Sequence, residues 1–468
     1  MNRVIVLIFL ITSFHSLGIG QSLERIEPPF WWTDMKNSEL QLMLHGDDIG
    51  GLDVELVDTE VELKKVHRPV NSNYLFIDLN ISNAVKPGPF QVKLNKGNNT
   101  IVDFEYDLRP RSAEQQKRPR ISPADVIYLI TPDRFANGDP SNDNIPGMRE
   151  TLKRDKEYGR HGGDIQGIVD HLPYLDDLGF TAIWLNPVLE NDQAEWSYHG
   201  YSTTDYYKVD PRFGTNDDYV DMIRSANEMG IGVIMDVIVN HCGSMHWWMD
   251  DLPFSDWVNY QDQPYQETNH RKYTLVDPYT SQIDRKIMTE GWFVRSMPDL
   301  NQRNPFMSKY LIQNSIWWIE YSGIAGIRQD TYSYPFREFM TDWTCGIREE
   351  YPDFFIVGEE WVDDPGVISY WQEGKVNHDG YSSCLPSVMD FPLCFALHKS
   401  MNEDDAQWGN GLTRLYEKLG QDFNYADPSQ LVIFPDNHDM SRIFTQINED
   451  FDLYKLALTY ILTTRGIP

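Results

Sequence analysis

The sequence predicts an α/β protein: a TIM (β/α)8 barrel preceded by a β-sandwich domain. Three observations carry this prediction. From Asp125 onward, short apolar runs alternate with helical patterns, as in repeated βα units. Before that point, runs of period-2 alternation are separated by Gly, Asn or Pro turns, as in an all-β domain. Between the two lies a charged stretch, Arg109–Arg120, with Pro110 and Pro119, which reads as a linker.

Taken in order, Leu40–Leu44, Val54–Val57, Val61–Val66, Tyr74–Leu79, Phe90–Leu94 and Ile101–Tyr106 are the expected sandwich strands, within an immunoglobulin-like domain over residues 21–110. Pro28-Pro29-Phe30-Trp31-Trp32 opens it, with tryptophans that suit packing at a core or interface better than exposed sugar stacking. The barrel domain, 111–468, has candidate strands at Val126–Ile130, Thr181–Leu185, Val233–Val239, Ala325–Ile327, Phe354–Val357, Ser387–Phe391 and Leu431–Phe434. The clearest helix is Asp217–Met229, with Thr215 as N-cap and Gly230 past its end. The interval 242–296 is too long for a simple helical connection and is expected to be an inserted domain. A last helix, Phe451–Leu462, stops at Gly466. Ile467-Pro468 reads as the start of an eighth strand that this chain does not complete, so open barrel edges and poor solubility of this length of chain are expected.

A net charge of −31 argues against nucleic acid, which binds basic surfaces. Met1-Asn2-Arg3, the apolar Val4–Ile19 and the small residues behind it read as a signal peptide over 1–20, cut near Gly20. Export to a periplasm or the cell exterior follows. No later segment is expected to span a membrane. The four cysteines, Cys242, Cys345, Cys384 and Cys394, do not look like a disulfide framework.

Chemistry concentrates at the ends of the apolar runs. In Gly326–Tyr332 (G-I-R-Q-D-T-Y), alternation turns Arg328 and Asp330 to one side, and an adjacent arginine keeps a carboxylate ionised. An oriented, ionised carboxylate is the nucleophile that covalent glycosyl transfer needs. Asp236–His241 (D-V-I-V-N-H), Val357–Trp361 (V-G-E-E-W) and Phe434–Asp439 (F-P-D-N-H-D) likewise end short apolar runs in charged or imidazole side chains. In this order the four resemble the signature regions of the alpha-amylase family of glycoside hydrolases. Met297–Asn301 (M-P-D-L-N) is similar to a fifth region of the neopullulanase and cyclomaltodextrinase branch, which also carries an N-terminal sandwich and an insertion after the third strand.

The resemblance implies a retaining hydrolase of alpha-1,4-glucans with Asp330 as nucleophile, Glu359 as acid/base and Asp439 as a third carboxylate that stabilises the transition state. Arg328 is expected to keep Asp330 ionised while Glu359 stays protonated; Glu360 is turned away by strand alternation. The resemblance places His241 and His438 on sugar hydroxyls, while Asp236 and Asn240, grouped with the binding residues, are expected to support the site, Asp236 by pairing with Arg328 or a neighbour. It places His199 and Tyr201, in Tyr198-His199-Gly200-Tyr201, at the cleavage point. Where the family carries a Lys-His pair this chain has Tyr332-Ser333-Tyr334, so an aromatic pair is expected against longer or branched glucans. The resemblance also implies Ca2+ at the oxygen-rich turns, held by Asn137, Asp139, Asn142, Asp143, the Gly162 carbonyl and Asp164. Two rivals stay open: a non-catalytic glucan-binding relative and a transglycosylase of the same fold. The residues also leave a homo-oligomer open.

Overall fold

The computed structural model describes residues 22–113, 117–404 and 407–468; the expected signal peptide lies outside them. Eight strands build the N-terminal domain: β1 (Leu23–Glu27), β2 (Trp31–Trp32), β3 (Glu39–Gly46), β4 (Asp53–Val57), β5 (Glu62–His67), β6 (Tyr74–Asn80), β7 (Gly88–Lys96) and β8 (Asn99–Arg109). They form two four-stranded sheets, β1-β3-β6-β5 and β2-β8-β7-β4. The six expected runs are β3 to β8. The two additional strands, β1 and the two-residue β2, are too short or too mixed in polarity to show alternation. β2 carries Trp31 and Trp32, both buried. Phe30 packs against Trp317 at 5.0 Å, so this aromatic opening belongs to the interface with the second domain.

The second domain contains β9 (Ile127–Ile130), β10 (Ala182–Leu185), a hairpin of β11 (Leu189–Glu190) and β12 (Asp205–Val209), then β13 (Gly232–Val237), β14 (Gly326–Gln329), β15 (Phe355–Gly358) and β16 (Ser387–Val388). The parallel sheet runs β16-β15-β14-β13-β10-β9. Helices separate the strands. That at Asn216–Glu228 has Thr215 as N-cap in a reciprocal capping box with Asp218. The expected strand Ser387–Phe391 is shorter in the structure. Asp390 caps a helix that begins at Phe391 with Pro392 in its first turn, and that ends the strand. Leu431–Phe434 forms no ladder. Val432 instead bridges Met389 on one side and Ile467 on the other. The Ile127 N–H donates to the Pro468 carbonyl at 2.7 Å. The six-stranded sheet thus remains open between β16 and β9, as expected, and isolated bridges link its two edges at one rim only. Beside it lies an apolar cavity of about 780 Å³ between β9 and the helix Phe451–Thr463.

A second correction concerns the cysteines. Cys345, on the helix Arg337–Glu350, is bonded to Cys384 ahead of β16, 39 residues on. Cys242 and Cys394 are free and buried. Sequence separation hid the pair, because the fold alone brings the helix face to that loop.

The 18-residue helix Pro305–Ser322 joins the domains. It is apolar around most of its circumference, as expected for a helix covered on both sides. Its Tyr310 hydroxyl donates to Glu27 at 2.7 Å, and Gln313 exchanges two 2.8 Å hydrogen bonds with the backbone of Gln41. Arg111 donates to Glu320 at 2.8 Å and to Glu350 at 2.6 Å.

Candidate active site

The register of the parallel sheet assembles the site. Asp236 on β13 is directly opposite Arg328 on β14, and Gln329 is opposite Gly358 on β15. The ladder continues one step past the strands: the Asp330 N–H donates to the Val237 carbonyl and the Glu359 N–H to the Gln329 carbonyl, both at 3.0 Å. Both carboxylates therefore sit at the same end of adjacent strands. Gly358 is required before Glu359, since a Cβ there would fall 2.8 Å from the Tyr332 ring.

Arg328 is buried and contacts three carboxylates. One terminal nitrogen lies 2.8 Å from Asp236 and 2.8 Å from Asp330, the other 2.7 Å from Glu359. This differs from the expectation that Arg328 would distinguish Asp330 from Glu359, because it pairs with both. Burial pushes the Asp330 carboxyl up, Arg328 opposes, and Glu359, Asp236 and Asp439 push it up again. Three buried carboxylates around one guanidinium carry excess negative charge, which disfavours ionisation of Asp330. Thr331 joins the two carboxylates. Its N–H donates to Glu359 at 3.0 Å and its hydroxyl to Asp330 at 3.1 Å, with a backbone φ of +46° that only a constrained site maintains. Sequence reading missed it, because alternation describes only where strand residues point.

Behind this cluster, both Asp236 oxygens are occupied: Oδ1 by Arg328, Oδ2 by the Trp184 indole at 3.0 Å and the Tyr201 hydroxyl at 2.8 Å. Since Tyr201 has one proton and gives it to Asp236, His438 donates from Nε2 to the Tyr201 oxygen at 2.8 Å. The same nitrogen is 3.2 Å from Asp439, whose side chain is half exposed at the cleft mouth. Burial there penalises the Asp439 charge, but the closeness of His438 and the positive charge of Arg328 outweigh it and keep the carboxyl below its usual range. The Tyr201 and His438 rings stack at 5.3 Å. Burial lowers His199 and His241 to about 4 each, leaving neutral imidazoles at neutral pH. His199 accepts from the Tyr201 N–H at 2.9 Å and His241 bonds the Tyr201 carbonyl at 3.1 Å, so both brace the segment that carries the ring.

These groups open onto a cleft of about 900 Å³ lined by Asp330, Glu359, Asp439, His199, Tyr201, His241 and His438. Asp236, Asn240 and Arg328, grouped with the binding residues, stand behind that wall, and Asp236 supports the site by pairing with Arg328, as expected. Asp236 and Arg328 are spent on each other and their neighbours, and the Asn240 amide is buried against His241 at 3.2 Å. Of the expected aromatic pair, Tyr332 is fully buried against Trp371, and Tyr334 alone reaches the cleft. The insertion supplies Tyr334 with neighbours that sequence reading did not single out: His270 bonded to its hydroxyl at 2.9 Å, Lys272 over its ring, and Phe293. Trp184 was also missed, although alternation within Thr181–Leu185 would have turned it to a barrel face.

The oxygen-rich turns are less uniform than expected. Both Asp164 oxygens are committed, accepting from the N–H groups of Gly138, Asp139 and Gly167 and from the Asn142 amide, so this residue caps a helix. Asp139 caps its own turn by accepting from the Ser141 N–H. Among the described residues no group of three His, Cys, Asp or Glu forms a metal cage. The amide oxygens of Asn137 and Asn142, however, are buried without a donor. Asp143 reaches the same place, since its Oδ1 accepts from Asn137 at 2.7 Å and lies 2.1 Å from where a Gly162 Cβ would be. Orphaned amide oxygens with one carboxylate and the backbone at Gly162 form a donor set suited to a hard cation.

Comparison with known proteins agrees with this geometry. Residues 129–468 match the family described as alpha amylase, catalytic domain, and residues 25–112 that described as cyclomaltodextrinase, N-terminal. Neopullulanase 2 of Thermoactinomyces vulgaris is 30% identical over 374 residues, covering 78% of this chain and 58% of the relative. Cyclomaltodextrinase of Thermoanaerobacter pseudethanolicus is 30% identical, covering 73% and 55%. The alpha-amylase of Geobacillus thermoleovorans, solved with acarbose, superposes with a TM-score of 0.61 at 32% identity, covering 75% of this chain and 70% of that one. The chain spans little more than half the length of these two sequence relatives. The chain belongs to the alpha-amylase family of glycoside hydrolases, with the N-terminal domain of its cyclomaltodextrinase and neopullulanase members.

Proposed function

We propose that this protein hydrolyses alpha-1,4-glucosidic bonds of starch-derived glucans with retention of configuration. The observation that carries the proposal is the single buried guanidinium of Arg328 in contact with both Asp330 and Glu359. A shared partner keeps the two carboxyls near each other, which favours the retaining separation of about 5–5.5 Å over the wider inverting one. In the first step an Asp330 oxygen bonds the anomeric carbon while Glu359 gives its proton to the departing glycosidic oxygen. In the second, Glu359 takes a proton from water, the resulting oxygen bonds the anomeric carbon, and Asp330 leaves. Asp439, at the cleft mouth, is suited to stabilise positive charge on the ring, and Tyr201 offers a flat face to the pyranose.

Two further readings belong to the proposal. Ca2+ would be held by the oxygens of Asn137, Asn142, Asp143 and Gly162 and would brace the loop, with Asp164 organising that loop through its cap. Export is supported by the basic-then-apolar start of the chain and by the Cys345–Cys384 bond, which persists in oxidising compartments.

The test is product analysis on cyclodextrin, pullulan and soluble starch, with the anomer of the first-formed sugar read by NMR. Release of α-anomeric maltooligosaccharides is expected. Transfer products in place of hydrolysis would point to a transglycosylase, and binding without turnover would point to a non-catalytic relative.

A further inference from the structure

The cleft continues beyond the carboxylates onto an aromatic pair that no step above uses. Tyr158 and Trp196 lie face to face, centroids 4.0 Å apart and 21° from parallel. Both line the cleft, yet Tyr158 is 47% and Trp196 46% exposed, so neither is packed as core. Trp196 also adopts a left-handed backbone, φ +64°, which is strained for a residue other than glycine. Such a conformation persists only where surroundings enforce it. Here they do. The next residue, Ser197, donates its N–H to buried Glu150 at 2.8 Å and accepts at its carbonyl from buried Arg160 at 3.3 Å. On the Tyr158 side, Arg134 donates to the Glu157 carbonyl at 3.0 Å and lies over the Tyr198 ring at 4.1 Å. Buried charges thus hold the segment beneath Trp196, and the partly exposed Arg134 holds the segment that carries Tyr158.

We infer that Tyr158 and Trp196 form a sugar-stacking platform, which binds a glucose unit remote from the cleaved bond on the wall that carries Tyr198 and His199. The occupant is the neutral glucan chain itself. The platform is continuous with the cleft, offers an uncharged aromatic surface, and suits the C–H face of a pyranose. Its consequence is a preference for longer chains. The inference rests on the glucan reading of the cleft.

The test uses the full chain with Trp196→Ala and Trp196→Phe. For Trp196→Ala, the loss of kcat/KM on maltoheptaose should exceed that on a short aryl maltoside by about tenfold, mainly through KM, and Trp196→Phe should recover most of it. Equal losses on both substrates, or no loss, would overturn the platform. Calorimetric titration of maltoheptaose into Asp330→Asn, with and without Trp196→Ala, separates the two readings. A Trp196-dependent affinity, together with no turnover of glucan by the chain that keeps Asp330, would leave the platform standing and remove the hydrolase. An affinity indifferent to Trp196, or no affinity at all, would remove the platform whatever the activity.

Discussion

At the scale of single residues, the site is a competition between burial and charge. Arg328 compensates one of the carboxylates it touches, and Thr331 donates to two of them. Asp330→Asn and Glu359→Gln should each lower kcat on maltooligosaccharides by a factor on the order of 10³ or more while leaving the folded structure intact. Glu359→Gln should be partly spared on substrates whose leaving group needs no proton. Wild-type rates in either variant would reject the roles assigned here. The histidines give a pH dependence of stability. His199 and His241 titrate at about 4 when folded, against roughly 6.5 in an unfolded chain, so between these values the unfolded state binds more protons. Their contribution is complete above pH 6.5 and is lost as pH falls through that window, on the order of 3 kcal/mol per histidine. Urea unfolding at pH 7, 6 and 5 should show midpoints falling with pH, with a shallower fall in His241→Gln. A flat profile would contradict the burial of these rings.

At the scale of elements, two loops invite measurement. The turn Asn137–Asp143 carries orphaned amide oxygens, so a chelator should lower Tm and added calcium should restore it, by RT ln(1 + [L]/Kd) of folded-state stabilisation. Asn137→Ala should lose the response. Identical melting with and without chelator would remove the cation. The Cys345–Cys384 bond closes a loop of 39 residues between a barrel helix and the approach to β16. Its reduction, or Cys345→Ala with Cys384→Ala, should cost about 2–4 kcal/mol. An unchanged midpoint in denaturant with and without reductant would show that the bond is absent or idle.

At the scale of the whole molecule, the helix Pro305–Ser322 is shared by both domains, and Arg111 is the joint. Arg111 bonds Glu320 and Glu350, both buried, and Tyr351 also donates to Glu320 at 2.7 Å. Removing one member of a buried charge group leaves the others uncompensated. Arg111→Met should therefore destabilise by about 3 kcal/mol and loosen the N-terminal domain, read as a lower Tm and faster proteolysis between the domains. Unchanged melting and cleavage would mean that the Phe30, Trp32 and Trp317 packing and the Tyr310–Glu27 and Gln313–Gln41 hydrogen bonds hold the domains without Arg111.

Periodicity and motif order were enough to predict a barrel after a sandwich, because alternation and helical spacing are local properties that burial writes directly into a chain. They also brought Arg328 and Asp330 to one side, since a two-residue offset on a strand leaves no choice. What needed the tertiary structure were contacts between segments far apart in sequence. Only the register of β13, β14 and β15 decides that Arg328 reaches Glu359 as well as Asp330, overturning the expected division between them. Only packing decides that Tyr332 faces the core while Tyr334 faces the cleft, or that Cys345 meets Cys384. Likewise Asp164 reads from sequence as a cation ligand, yet four hydrogen bonds take up its oxygens. A side chain's chemistry is a property of its type. Whether that chemistry is free for substrate depends on how many neighbours the fold has already given it.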